Sequence, residues 1–219
     1  MLEAVLFDLD GVLIDSEQAW DAARRAVVEA AGGHWQPEAT RAMMGMSAPE
    51  WSRYLHDELG VALDPAEING RVVERLLAGY QRELPLLPGA VDAVRRLAAR
   101  WPLGLASSAN REVIDAVLAR SGLADSFAVT VSGEEVAHGK PAPDIYLAAA
   151  RKLDVPPESS AAVEDSTNGL RAASAAGTLV VAYPNRAFPP SAQALALAAV
   201  TLGSLDELTP ELLESLARS

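Results

Sequence analysis

The stretch Ala4-Val5-Leu6-Phe7-Asp8-Leu9-Asp10-Gly11 decides the fold. Residues 4–9 form a short apolar run, β-branched in part, which Asp10-Gly11 stops. Such a run reads as a buried strand with two carboxylates, Asp8 and Asp10, at its end. Four more runs of this kind follow, at residues 103–107, 127–132, 160–163 and 179–182. Helical patterns separate them. Residues 90–100 carry Val91, Val94, Leu97 and Ala98 on one face, and residues 111–121 carry Val113, Val117 and Leu118. Residues 145–153 and 168–176 continue the alternation. Strand and helix in alternation imply a parallel sheet covered on both faces.

Residues 15–85 break that rhythm. They hold helical stripes and no convincing strand. Trp20, Ala23, Val27 and Ala31 make one stripe, Trp51, Leu55 and Leu59 a second, and Ile68, Val72, Leu76 and Tyr80 a third. The expected fold is therefore α/β: a Rossmann-like parallel-sheet core, residues 1–14 and 86–219, with an all-helical domain, residues 15–85, inserted after the first strand.

In an open parallel sheet, ligands bind beyond the carboxyl ends of the strands. The polar residues at those ends are Asp8 and Asp10, then Ser107, Ser108 and Asn110, then Lys140 in His138-Gly139-Lys140-Pro141, then Glu164, Asp165 and Ser166. Brought to one cleft, such carboxylates repel each other and take up protons unless a cation is present. Their oxygens suit Mg²⁺, which keeps waters and coordinates a phosphate oxygen. A carboxylate that attacks phosphorus forms an aspartyl-phosphate, splitting one hard step into two. Ser107 and the amides after it can hold phosphate oxygens at a helix start, and Lys140 supplies a point charge. The chain has only two lysines, Lys140 and Lys152.

Composition narrows the partners. The net charge is −12, from 18 basic and 30 acidic residues, which disfavours nucleic acid. No cysteine is present, so thiolate catalysis and disulfides are excluded. The N-terminus has no basic region of a signal peptide. The longest apolar run, near residues 194–202, is too short to span a bilayer. A cytoplasmic monomer acting on a small molecule is the default expectation.

Phe7-Asp8-Leu9-Asp10-Gly11-Val12-Leu13, Ser107-Ser108, Lys140-Pro141-Ala142-Pro143-Asp144 and Glu164-Asp165-Ser166, in this order and spacing, resemble the four motifs of the haloacid dehalogenase superfamily. Within it the chain is similar to the β-phosphoglucomutase-like sugar phosphatases. The resemblance implies that Asp8 is the nucleophile and Asp10 the general acid and base. It implies that Asp8, the carbonyl of Asp10, and Asp165 bind Mg²⁺, with Glu164 in or near that shell. Ser107, Ser108 and Lys140 would hold the phosphoryl group of a small phosphorylated metabolite. Residues 15–85 would be a mobile cap, with Trp20, Gly45, Met46 and Asn110 as candidate substrate contacts. The expected activity is phosphomonoester hydrolysis. The alternative is mutase-type phosphoryl transfer; a phospho-accepting signalling domain and a non-catalytic binding protein stand behind it. The cap-side histidine, arginine and lysine of the mutase are absent at the aligned Trp20, Pro49 and Leu76. Arg41, Arg53 and Arg75 are the candidate replacements. Glu164 can equally serve as an ion-pair partner of Lys140, and Trp20 as a packing residue.

Overall fold

Buried parallel strands need apolar side chains on both faces, and the strands here obey that rule. The computed structural model describes residues 1–44 and 46–218. The chain opens with β1 (Ala4–Phe7) and then runs through four helices: α1 (Glu17–Ala30), α2 (Ala39–Met43), α3 (Ala48–Asp57) and α4 (Pro65–Arg82). After them come α5 (Ala90–Ala98), β2 (Leu103–Ser107), α6 (Arg111–Ser121), β3 (Val129–Ser132) and α7 (Asp144–Lys152). The last part holds β4 (Ser160–Glu164), α8 (Thr167–Ala175), β5 (Leu179–Ala182), α9 (Ala192–Leu195), β6 (Val200–Thr201) and α10 (Pro210–Leu216).

The six strands pair in parallel in the order β3-β2-β1-β4-β5-β6. The chain builds outward from β1 on one side, then returns to build outward from β4 on the other. The topological switch point thus lies between β1 and β4. Their register sets Phe7 beside Val163, so the next residues, Asp8 and Glu164, emerge side by side.

Two details differ from the sequence reading. The first strand ends at Phe7 and not at residue 9, because the amides of Leu13 and Ile14 both donate to the Leu9 carbonyl and fold the chain into a turn. Beyond residue 182, α9, β6 and α10 were not anticipated. The apolar run near residues 194–202 is divided between α9 and β6, pieces too short to show a period.

The helices α1 to α4 pack mainly on one another through Val27, Trp51, Leu55, Ile68, Val72 and Tyr80, all buried. The two chain segments that join them to the sheet are bonded to each other. Asp15 N–H donates to the Pro85 carbonyl (2.8 Å) and Leu87 N–H to the Leu13 carbonyl (2.9 Å).

Candidate active site

The cleft sits at the switch point, between the carboxyl ends of β1 and β4 and the face of α1. Asp8 leaves β1 with its amide bonded to the Val163 carbonyl (3.0 Å). Its carboxylate faces Lys140 Nζ at 2.9 Å, and Lys140 also reaches Glu164 Oε1 at 2.6 Å. All three side chains are buried. Glu164 is held on both oxygens: Oε1 accepts from Lys140 and from Tyr146 Oη (2.7 Å), Oε2 from Asp165 N–H and from Ser166. This saturation favours the reading of Glu164 as the anchor of Lys140.

Oxygens of Asp8, Glu164 and Asp165 lie within 4.8 Å of one another, a spacing that can hold a metal ion. Space for that cluster depends on glycine. Gly11 has φ +77°, and a Cβ there would sit 1.9 Å from Asp165 Oδ2. A Cβ on Gly169 would sit 1.9 Å from the Glu164 carboxylate.

Electrostatics carry the mark of an acidic cluster. Burial, with Glu164 and Asp10 adding to it against the pull of Lys140, pushes the Asp8 carboxyl up to about 8. Burial, then Glu164 and Asp8, hold Asp165 well above the usual carboxylate range. Burial opposes the charge on Lys140, but Asp8 and Glu164 outweigh it and keep the ammonium firmly protonated. A divalent cation would supply the positive charge that this set of oxygens lacks.

Asp10 lies beyond Asp8 and is gripped from two sides. Ser16 Oγ (2.5 Å) and the indole N–H of Trp20 (3.0 Å) both donate to its Oδ1. Ser107 Oγ is 3.5 Å from Oδ2. Trp20 is on α1, so a helix outside the sheet contacts the carboxylate directly. Glu17, Trp20 and Arg24, at i, i+3 and i+7, line the cleft in one stripe. Met43, Met44, Met46 and Trp51 add an apolar wall, and Ser108, Ala109 and Ser166 complete the rim.

Several sequence candidates land elsewhere. Asn110 is not among the residues lining this cleft; its amide donates to Glu134 (2.7 Å) and Asn69 (3.3 Å). Ser107 is fully buried and its Oγ accepts from Ala109 N–H (3.1 Å), so Ser108 is the serine at the surface of the cleft. Arg41, Arg53 and Arg75 are exposed and do not reach the cleft; the arginine in it is Arg24, which no motif indicated. Gly45 lies outside the described residues. Glu17 was also missed, and burial plus the neighbouring Asp10 raise its carboxyl to about 7.

The sequence profile of haloacid dehalogenase-like hydrolases matches residues 2–177. The chain belongs to the haloacid dehalogenase-like hydrolases. Hexitol phosphatase B of Escherichia coli (strain K12) is 35% identical to this hydrolase over 225 residues, covering 94% of each chain. The phosphorylated carbohydrates phosphatase of Thermotoga maritima is 35% identical over 178 residues, 80% of this chain and 82% of the relative. Among solved structures, CbbY from Rhodobacter sphaeroides in complex with phosphate superposes with a TM-score of 0.84 at 34% identity, covering 95% of this chain and 96% of CbbY. A β-phosphoglucomutase from Clostridium difficile gives a TM-score of 0.86 at 22% identity over 100% and 98% of the chains, a likeness of fold. Among the described residues no helix is long and apolar enough to cross a membrane.

Proposed function

We propose that this hydrolase is a Mg²⁺-dependent phosphomonoesterase for phosphorylated carbohydrates, working through an aspartyl-phosphate on Asp8. The cluster of buried Asp8, Asp165 and Glu164, with Lys140 ion-paired to Asp8 and Glu164 and Asp10 held next to them, carries this reading. The phosphatases among its relatives supply the substrate class.

In the first step an Asp8 carboxylate oxygen attacks phosphorus, and the P–O bond to the sugar breaks. The leaving oxygen takes a proton from Asp10. In the second step Asp10 takes a proton from water, whose oxygen attacks phosphorus and releases Asp8 and inorganic phosphate. Lys140 neutralises phosphoryl oxygens beside Asp8, and Glu164 with Tyr146 keeps the ammonium aimed there. Asp8, Asp165 and the Asp10 carbonyl would hold the metal, which when bound screens the repulsion between the attacking carboxylate and the phosphate dianion. Ser16 and Trp20 fix Asp10, so the acid is oriented only while α1 lies against the sheet.

Residues 15–85 act as a cap in this reading, on a core of residues 1–14 and 86–219. The cleft encloses about 60 Å³, room for a few waters but not for a sugar phosphate. Substrate admission therefore requires the cap to swing on the paired segments around Asp15 and Leu87.

Phosphate release from a panel of sugar, sugar-acid and polyol phosphates in Mg²⁺ tests the proposal, with Asp8→Asn alongside. Release by the wild type and none by the variant supports it. Full activity in Asp8→Asn overturns the nucleophile.

A further inference from the structure

Arg24 is the cation in this cleft that the hydrolytic steps do not use. Its side chain is 6% exposed, and its guanidinium carbon lies 4.9 Å from the Trp20 ring centre and 5.1 Å from that of Trp51. Nε is buried without a hydrogen-bond partner. No carboxylate among the described residues is in ion-pair contact with it. Burial lowers the guanidinium to about 10, with Glu17 and Asp10 opposing, so it stays charged at neutral pH. A buried cation without an anion in contact is costly to fold around. Two indole faces offset part of that cost, but they leave the planar donor fork unfilled, and that fork matches carboxylate or phosphate.

Its position puts such an anion in the same cleft as the reacting groups. Arg24 is one turn beyond Trp20 on α1, and Trp20 bonds Asp10, the group beside the leaving oxygen. The guanidinium thus belongs to the cleft that Asp8, Asp10 and Lys140 also line, on its α1 side.

We infer that Arg24 selects phosphorylated carbohydrates that carry a second anionic group, a carboxylate or a further phosphate, at the end remote from the scissile ester. This rests on the phosphatase reading for its substrate and deepens it. It sets the protein apart from an enzyme for neutral polyol phosphates, where an unfilled guanidinium would remain buried in the complex.

Three probes on one six-carbon frame test it: 6-phosphogluconate, hexitol 1,6-bisphosphate and sorbitol 6-phosphate, whose remote end is neutral. Their binding to Asp8→Asn is measured by titration calorimetry in Mg²⁺, then to Asp8→Asn/Arg24→Met. The single variant should bind at least one charged probe 10-fold or more tighter than sorbitol 6-phosphate, and the tighter of the two identifies carboxylate or phosphate. Arg24→Met should bring the ratio within 3-fold. Equal binding of charged and neutral probes by Asp8→Asn overturns the inference, as does a preference that survives in the double variant. Arg24→Gln, which keeps hydrogen-bonding capacity without charge, gives the same reading where the Met variant does not fold. The readout is binding, so it stands even if the wild type releases no phosphate, an outcome that would sink the phosphatase proposal alone.

Discussion

Trp20→Phe isolates one contact. The substitution keeps a ring under Arg24 and against Trp51 but removes the indole N–H that donates to Asp10 Oδ1 at 3.0 Å. A hydrogen bond to a charged group contributes about 1.5–3 kcal/mol. At about 1.4 kcal/mol per tenfold, that is roughly 10- to 100-fold in rate if Asp10 is held through it. Ser16 still donates to the same oxygen, so the lower half of that range is expected. The assay compares kcat/KM for a sugar phosphate and for p-nitrophenyl phosphate. This ratio reports steps up to departure of the alcohol, and nitrophenolate leaves without needing a proton. The sugar phosphate should lose about 10- to 30-fold, the aryl ester less than about 3-fold. Equal losses on both esters would refute the claim that Trp20 acts through Asp10 on the leaving group. No loss on either would show that Ser16 suffices.

Three further outcomes follow from the same geometry. Lys140→Ala strands Asp8 and Glu164 in a buried site, and breaking such a pair costs about 3–5 kcal/mol; the melting temperature should fall by roughly 6–20 °C, and an unchanged melting curve would contradict the ion pairing. Gly169→Ala pushes a Cβ into the Glu164 carboxylate, so kcat should drop about 10-fold or more, whereas Gly70→Ala on open helix surface should stabilise by about 1 kcal/mol. A matching loss of kcat in both variants would rule out the Glu164 route. The third outcome concerns metal and pH. Asp8, raised to about 8, and Asp165, also raised, bind protons more tightly folded than unfolded. The stability those protons lend the metal-free protein is full below about pH 4 and is lost as pH rises through about 8. Mg²⁺ competes for the same oxygens, so its stabilising shift in calorimetry should be larger at pH 8 than at pH 5; the reverse order would argue against this cluster as the metal site.

The strands were legible because a strand buried on both faces must be a continuous apolar run, and residues 103–107 and 179–182 end where their polar neighbours begin. The same logic exposed Asp8, Lys140 and Asp165, each placed just after a strand or in the loop that follows one. The C-terminal elements escaped because four residues of α9 and two of β6 carry no periodicity. Trp20 was legible as a member of an apolar stripe, but its bond to Asp10 depends on how α1 docks over β1, a long-range fact absent from local pattern. Arg24 sits in the polar pair Arg24-Arg25, and nothing local says that one of them is buried between two indoles while the other is exposed. Asn110 shows the converse. Its place after β2 is local, but the partner of its amide is Glu134, from the loop after β3, which no local pattern indicates.

Asp8 as nucleophile is the claim on which the catalytic scheme depends. A borohydride trap tests it most directly: the wild type is mixed with a sugar phosphate in Mg²⁺, quenched during turnover, reduced, and mapped by peptide mass spectrometry. An acyl phosphate on Asp8 would be reduced to homoserine at position 8, and that is the predicted product. Homoserine at Asp10 or Asp165 in place of Asp8, or none despite a burst of released alcohol, would contradict the account.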